Sequence, residues 1–443
     1  MDLSLSLLPV GKPYLEALEQ ALIGGVTIVQ IREKVADTAE FLQIAQESKA
    51  LCDRYNVPLL VNDRIDIALA INAHGVHLGQ SDMPVDIARK LMPKGSIIGI
   101  SCNSLDDVRR ARQSKADYVG LGAVWDTQTK KLTSPPIGVR GLGVLLEALD
   151  GSDIPATRLL HGSVSSTSHA LDGVAVVSDI VASPNPETAA RRLKSIFKAC
   201  KRCILDSSAP TSVWSRGEIL DNVTTIMDGV RNLNPLVHQM TNNVVSTQSA
   251  NITLAVGASP IMATAPEEMS DLSKLSNGLL VNIGTLVSGS VQGMLRGGYF
   301  VNAAKNPVVL DPVGVGASDF RKASVNELLN AWQPTVIKGN AGELAALAGS
   351  GEATSKGVDR QLARKERCIV VLTGETDYVS DGKRVLMLKN GHPLLGKITG
   401  SGCMLGSVIT AYCAAANALE SDDDEHEGKL TRGGDFLSAA VGA

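Results

Sequence analysis

Short apolar runs, each closed by a polar or charged residue, recur through the first 180 residues and begin again near residue 226 with different closing residues. Val26–Ile31, Pro58–Val61, Gly75–Leu78, Ile97–Ile100, Tyr118–Val124 and Gly173–Val177 have the length and aliphatic content of buried strands. They end on Arg32, Asn62-Asp63, Gly79-Gln80, Ser101, Asp126 and Ser178-Asp179. Amphipathic stretches such as Thr38–Tyr55 and Leu105–Ser114 fill the intervals and predict helices. Repeated strand–helix units with polar strand ends specify a (β/α) barrel whose site lies at the C-terminal ends of the strands. An open doubly wound sheet, which also binds ligands at strand ends, is the alternative.

In the second series, Leu279–Ile283, Val308–Leu310, Val336-Ile337 and Ile369–Leu372 read as parallel strands. Tyr378–Ser380 and Arg384–Leu388 flank Asp381-Gly382, a two-residue hairpin signal. A parallel sheet with an antiparallel edge is common among small-molecule kinase folds. At 443 residues the chain exceeds a single ordinary core. The division expected is a first domain over 1–182, a linker over 183–225 and a second domain over 226–443. The linker opens on Ser183-Pro184-Asn185-Pro186, carries a basic helix over Ala189–Arg202, and is then rich in Ser, Thr and Pro up to Ser215. Ser421–Glu427 is an acidic run of the kind found in solvated loops.

Composition narrows the function classes. Forty-two glycines and only 3% aromatics suit tight turns in a parallel α/β protein. A net charge of −4 offers no broad cationic face to nucleic acid. No apolar run approaches the roughly 20 residues of a membrane span. The apolar start, Met1–Leu8, lacks the basic region of a secretory signal. Seven cysteines with no paired framework fit a reducing compartment, and the chain is expected to be cytoplasmic. Cys200 and Cys203, flanking Lys201-Arg202, read as helix surface or linker rather than half of a zinc site.

Three features converge on the first site. Gln30, Arg32 and Lys34 share one face of an extended strand end and suit a polyphosphate. Asp63 and Asp82, from adjacent strand ends, can hold one Mg²⁺ through oxygen ligands. Thr127, Thr129 and Lys130 add two hydroxyls and a further cation. His77 reads as a structural strand residue.

The strings VQIREK (29–34), LLVNDRID (59–66), GVHLGQSDMP (75–84), ADYVGLGAVWDTQTK (116–130) and GVAVVSDI (173–180) resemble the thiamine phosphate synthase family. The resemblance implies a pyrimidine-methyl pyrophosphate and a thiazole phosphate as substrates, with Asp63 and Asp82 as Mg²⁺ ligands. It implies Gln30, Arg32, Lys34, Asn62, Ser101 and Lys130 as pyrimidine pyrophosphate contacts, and Thr127, Thr129, Val177 and Ser178 as thiazole phosphate contacts. Members of that family carry a strand and a Gly-Gly-Ile phosphate loop near the position of residue 156. Here Pro155-Ala156-Thr157 runs into Arg158–Gly162, which reads as a helix, so one strand and its loop are expected to be missing. The first strand, over Leu3–Leu8, is expected to be shortened.

The second site centres on Ile398-Thr399-Gly400-Ser401-Gly402-Cys403, leading into an apolar helix over Met404–Ala416. Glycines before a helix expose N–H groups at its positive end, an anion hole for a phosphoryl group. Asp311, Lys338 and Thr373 stand at successive strand ends around it and fit Mg·ATP binding.

HQMTNNVVSTQSANITLAVGASPIMATAPEEM (238–269), VVLDPVGVGAS (308–318), TVIKGNAGEL (335–344), VVLTGETDYVSDG (370–382) and ITGSGCMLGS (398–407) resemble the hydroxyethylthiazole kinase family, of ribokinase-like fold. The resemblance implies thiazole contacts at Met262 and Gly400, ATP contacts at Lys338 and Thr373, and Cys403 as general base. Lys338 stands where bacterial relatives usually carry Arg and offers a point charge without the bidentate fork. A thiol at a helix N-terminus ionises more readily, which suits the base assignment; the alternative is a positional residue beside the anion hole. Asp311 and Glu343 are the candidates for organising Mg²⁺ and phosphate, and His238 reads as a structural strand residue. The resemblance also implies trimer-based homo-oligomers, and further helices beyond the helix that Gly434–Ala443 begins.

Taken together, the chain resembles the fungal-type bifunctional enzymes of thiamine biosynthesis. The alternatives kept are a kinase with an inactive barrel as scaffold, and a non-catalytic thiazole- or thiamine-binding assembly protein.

Overall fold

A computed structural model of the chain describes residues 2–3, 13–124, 137–149, 156–157, 171–206, 215–349, 357–420, 431 and 433–443. The chain divides into two compact units, Met1–Ser208 and Ala209–Ala443.

The first unit is built on seven strands: β1 Asp2–Leu3, β2 Val29–Ile31, β3 Leu59–Asn62, β4 Gly75–Leu78, β5 Ile97–Cys102, β6 Tyr118–Leu121 and β7 Ala156–Thr157. Every neighbouring pair is parallel and the order across the sheet is the order along the chain. A doubly wound sheet needs a reversal of strand order, and none occurs here, so the sheet is of (β/α)-barrel type. Among the described residues β7 does not close onto β1.

The strand expected to be missing near residue 156 is present as β7, with Val119 opposite Ala156 and Gly120 opposite Thr157. The helix read over Arg158–Gly162 lies outside the described residues, as does most of the Leu3–Leu8 run. The strand expected over Gly173–Val177 is not formed; only Gly173 makes an isolated bridge. Val176 is buried there by packing rather than by ladder pairing. The Leu105–Ser114 helix falls where its periodicity placed it, started by a capping box in which Ser104 accepts from the Asp107 amide. The basic helix of the expected linker runs Pro186–Asp206 and packs on the Tyr14–Ile23 helix. Gly24 permits this approach, since a Cβ there would stand 2.5 Å from the Glu187 carbonyl oxygen.

The second unit has eight strands: β8 Leu236–Met240, β9 Ser259–Ile261, β10 Gly278–Asn282, β11 Val308–Asp311, β12 Val336–Asn340, β13 Ile369–Thr373, β14 Asp377–Ser380 and β15 Val385–Leu388. Their order is β9-β8-β10-β11-β12-β13-β14-β15, parallel up to β13 and antiparallel beyond. Successive residues alternate between two cores: Leu279 and Val281 face one, Leu280 the other; Val308 and Leu310 face one, Val309 the other. The helix expected over Met404–Ala416 runs Ser401–Ala418 and is buried from Gly406 to Asn417. Phe436–Gly442 forms a helix with Leu437, Ala439 and Ala440 in the same core. The sheet reverses direction between β8 and β10, a switch point of the kind at which open α/β sheets bind ligands.

The hairpin differs from the two-residue turn expected. Ser380 pairs with Val385, leaving residues 381–384 in the connection. Asp381 Oδ1 accepts from the amides of Lys383 and Arg384, an Asx-type turn that competes with the tight hairpin. The Ser421–Glu427 run lies outside the described residues. Among those described, no helix is long and apolar enough to cross a membrane.

Candidate active sites

In the first unit Gln30, Arg32, Lys34, Asn62, Asp63, Asp82 and Ser101 lie at or just past the C-terminal ends of β2 to β5. β3 ends at Asn62, and Asp63 then turns the chain with φ +62°. Asp and Asn tolerate this left-handed backbone better than other side chains. Gln30 Nε2, on β2, donates to Asn62 Oδ1 at 2.9 Å, fixing two predicted pyrophosphate contacts against each other. The Lys34 ammonium pairs with the Asp63 carboxylate, and Asp82 hydrogen-bonds Asp63 as well.

Burial, and then the bond with Asp82, push the Asp63 carboxyl above its ordinary range against the pull of Lys34. Burial also opposes ionisation of Asp82, but the bonds from Asp63 and the Gly79 amide outweigh it and hold Asp82 low. Gly79 N donates to Asp82 Oδ2 at 2.7 Å, and a Cβ on Gly79 would stand 2.9 Å from that oxygen. Two coupled carboxyls at adjacent strand ends form an oxygen donor set that fits one divalent ion.

Ser101 Oγ lies 2.9 Å from His77 Nε2, and His77 Nδ1 lies 2.7 Å from the Tyr118 hydroxyl. This file of side chains across β4, β5 and β6 aligns Ser101 and gives His77 the structural task read from the sequence. Arg32 is half-buried just past β2. Val177 and Ser178 stand at the start of the short Ser178–Val181 helix. Thr127, Thr129 and Lys130 lie outside the described residues.

In the second unit, Asp311 closes β11 with no exposure. Its Oδ2 lies 3.0 Å from Lys338 Nζ and accepts from Asn282 Nδ2 at 2.8 Å. Its Oδ1 is buried with no hydrogen-bond partner. Burial lifts the Asp311 carboxyl to about 6, against the lowering effect of Lys338. A buried carboxylate oxygen without a partner fits a divalent cation. Among the described residues no group of three or more His, Cys, Asp or Glu gathers as a metal cage, so water or phosphate oxygens would complete such a shell.

Lys338 also donates to the Gly402 carbonyl at 2.8 Å, which ties β12 to the start of the Ser401–Ala418 helix. Gly400, the residue before that helix, has φ +80°, and a Cβ there would lie 2.0 Å from Val245 Cγ1. Backbone and packing both demand glycine. Cys403 sits in the first turn, half-exposed, where N–H groups have no helical acceptor. Ser407 Oγ donates to Gln239 Oε1 at 2.9 Å and Gln239 Nε2 donates to Thr253 Oγ1 at 2.7 Å, fastening the helix to β8.

Glu343 uses both oxygens on backbone, Oε1 accepting from Gly314 and Oε2 from Asn340, each at 2.9 Å. It therefore braces the loop after β11. Thr373 closes β13 opposite Asn340. Met262 lies one residue past β9 and is 40% exposed. His238 is buried and its Nε2 donates to the Ala263 carbonyl at 2.9 Å, again a structural task.

Three functional positions escaped the sequence reading. Asn242 donates to Cys403 Sγ at 3.4 Å, and Asn282 bridges Asn242 to Asp311. Arg321 donates to the carbonyls of Ile283, Val313 and Gly284 at 2.6–2.7 Å and clamps the loops after β10 and β11. Asn282 carried the signal used elsewhere, a polar residue closing an apolar strand; Arg321 carried none.

Comparison with known proteins agrees with this geometry. The thiamine monophosphate synthase family profile matches residues 6–180, and the hydroxyethylthiazole kinase family profile matches residues 227–425. The chain is 36% identical over 435 residues to the probable thiamine biosynthetic bifunctional enzyme of Schizosaccharomyces pombe, covering 92% of this chain and 82% of that protein. It is 34% identical over 468 residues to the thiamine biosynthetic bifunctional enzyme of Saccharomyces cerevisiae, covering 92% and 84%. A stretch of 211 residues is 48% identical to the hydroxyethylthiazole kinase of Histophilus somni, covering 45% and 79%. With both domains in one chain and the match running through most of its length, the protein belongs to the family of thiamine biosynthetic bifunctional enzymes.

Proposed function

We propose that the second unit transfers the γ-phosphoryl group of ATP to the alcohol of 4-methyl-5-(2-hydroxyethyl)thiazole. The first unit then joins the thiazole phosphate to 4-amino-2-methyl-5-(diphosphomethyl)pyrimidine, giving thiamine phosphate and pyrophosphate. The observation that carries the reading is the buried Asp311–Lys338 pair beneath the first turn of the Ser401–Ala418 helix, with Cys403 in that turn. The synthase would occupy 1–182 and the kinase 226–443, joined through 183–225.

In the kinase step the alcohol oxygen attacks the γ-phosphorus. The new P–O bond forms as the β–γ bridging bond breaks, and Cys403 receives the hydroxyl proton. Unpaired N–H groups of the first helical turn face the developing charge. Lys338 and Thr373 hold the phosphates of ATP, and Met262 and Gly400 wall the thiazole. Asp311 would hold Mg²⁺, which when bound neutralises phosphate charge, and Glu343 keeps the neighbouring loop in place.

In the synthase step the C–O bond to pyrophosphate breaks, and the electron-rich aminopyrimidine stabilises the methylene cation. The thiazole nitrogen then forms the C–N bond, with no proton transfer required. Asp63 and Asp82 would hold the divalent ion. Gln30, Arg32, Lys34, Asn62, Ser101 and Lys130 bind the pyrimidine pyrophosphate, and Thr127, Thr129, Val177 and Ser178 face the thiazole phosphate. The kinase product is the synthase substrate, which gives the fusion its rationale. We further propose a cytoplasmic, trimer-based homo-oligomer with small molecules as its only substrates.

Two assays on the full chain test the reading: ADP release that depends on the thiazole alcohol, and thiamine phosphate formation from supplied thiazole phosphate and pyrimidine pyrophosphate with Mg²⁺. Both activities are expected. ADP release alone would establish the inactive-scaffold reading, and neither activity in a folded chain would establish the binding-protein reading.

A further inference from the structure

We propose that Asn242 is a positioning residue for the Cys403 thiol, with its own orientation dictated by Asp311 through Asn282. The proposal rests on reading Cys403 as the proton acceptor of the kinase. It concerns the ends of three neighbouring strands: Asn242 lies two residues past β8, Asn282 closes β10 and Asp311 closes β11. β8 and β10 flank the switch point, so the chain of side chains spans the crevice where this sheet binds its ligands.

The orientation of both amides is assigned by their neighbours. A carboxylate oxygen only accepts, so Asn282 turns its NH₂ to Asp311 Oδ2 (2.8 Å). Asn282 Oδ1 then accepts from Asn242 Nδ2 (2.9 Å) and from the Gly284 amide (3.0 Å). At Asn242 the carboxamide oxygen accepts from the Val244 amide (3.1 Å), which fixes the NH₂ on the opposite side. One N–H of that group is used by Asn282, and Cys403 Sγ lies within 3.4 Å of the same nitrogen. Flipping either amide would set oxygen against oxygen in a buried site, since Asn282 is 1% and Asn242 4% exposed.

Packing enforces the same pose. A Cβ on Gly284 would stand 2.7–2.8 Å from three atoms of the Asn242 side chain, so glycine there leaves room for Asn242 alone. An N–H held on the sulfur from a rigid scaffold confines Sγ to one place. Proton acceptance from a bound alcohol is then not spread over rotamers. The carboxylate that organises the phosphate side thereby also orients the donor on the alcohol side.

The test combines Asn242→Leu and the isosteric Asn242→Asp with Cys403→Ala in the full chain. Each Asn242 variant is expected to lower the kinase kcat by about 10-fold or more, with the KM for ATP within about twofold of wild type. In the Cys403→Ala background the same substitutions should add less than about a twofold loss, because they act through the absent sulfur. A second readout needs no turnover: the rate of Cys403 alkylation by iodoacetamide, followed by peptide mass spectrometry, should change several-fold in both Asn242 variants. Losses that multiply fully in the Cys403→Ala background, or an alkylation rate equal to wild type, would overturn the proposal. Should Asn242→Leu fail to fold, Asn242→Asp preserves shape and carries the test. A wild-type chain without kinase turnover would refute the proposed function instead, and the alkylation comparison would still decide the role of Asn242.

Discussion

The two sites use the same resource, polar residues at the ends of parallel strands, yet hold it differently. In the barrel unit the cluster is open: the Lys34 side chain, paired with Asp63, is 51% exposed. In the kinase unit Asp311, Lys338 and Asn282 are each at most 3% exposed and bonded into one circuit. The contrast follows the chemistry. Ionisation of a pyrophosphate ester needs charges that close on a large polyanion. Phosphoryl transfer to a small alcohol needs a fixed geometry around one oxygen, and fixed dipoles act most strongly where water is excluded.

The largest effect that would sharpen this contrast is expected from Asp311→Asn. It should lower kinase kcat by on the order of 10²–10³, while thiamine phosphate formation from supplied thiazole phosphate stays within about twofold of wild type. Next comes Asp63→Ala, expected to lower synthase kcat/KM by on the order of 10² with kinase kcat unchanged. Equal losses in both activities for either variant would break the separation of the sites.

Stability should divide in the same way. Gly400→Ala places a Cβ against Val245 and forces φ +80° on a residue that resists it. A loss of about 2 kcal/mol or more is expected, read as faster hydrogen exchange in peptides of the second unit only. Ser104→Ala removes the cap of the Leu105–Ser114 helix and should cost about 1 kcal/mol, read in peptides of the first unit only.

The smallest effect concerns pH. Burial holds His238 below the usual histidine range, against the raising effect of its bond to the Ala263 carbonyl, so the folded unit binds that proton less readily than the unfolded chain. Its stability contribution is flat above the unfolded histidine pKa of about 6.5 and declines as pH falls below it. Between about pH 7 and pH 5, His238→Asn should show a shallower loss of melting temperature than wild type.

Much of this was legible in the sequence because strand length, polar strand ends and helix caps are local properties. The β10 to β13 strands and the Leu105–Ser114 helix lie within two or three residues of their expected positions. What escaped was set by the sheet rather than by the segment. β7 and β9 are two and three residues long, and β9 contains Pro260, tolerated only because the strand lies at an edge. Gly173–Val177 had the composition of a strand, but only Gly173 there makes so much as a bridge. At the sites, Asp311, Lys338 and Cys403 could be read one motif at a time. Asn242 and Asn282 gain meaning only when β8, β10 and β11 lie side by side, and Arg321 only when two distant loops meet its guanidinium.

The central claim is that one chain carries two separate, sequential activities. Its most direct test is to mix two single-site variants, Asp63→Ala and Cys403→Ala, and supply the thiazole alcohol, ATP, Mg²⁺ and the pyrimidine pyrophosphate. Neither variant alone should make thiamine phosphate at a rate approaching wild type, and the mixture should, because thiazole phosphate made by one is consumed by the other. A mixture as inactive as its components, each folded, would contradict the account.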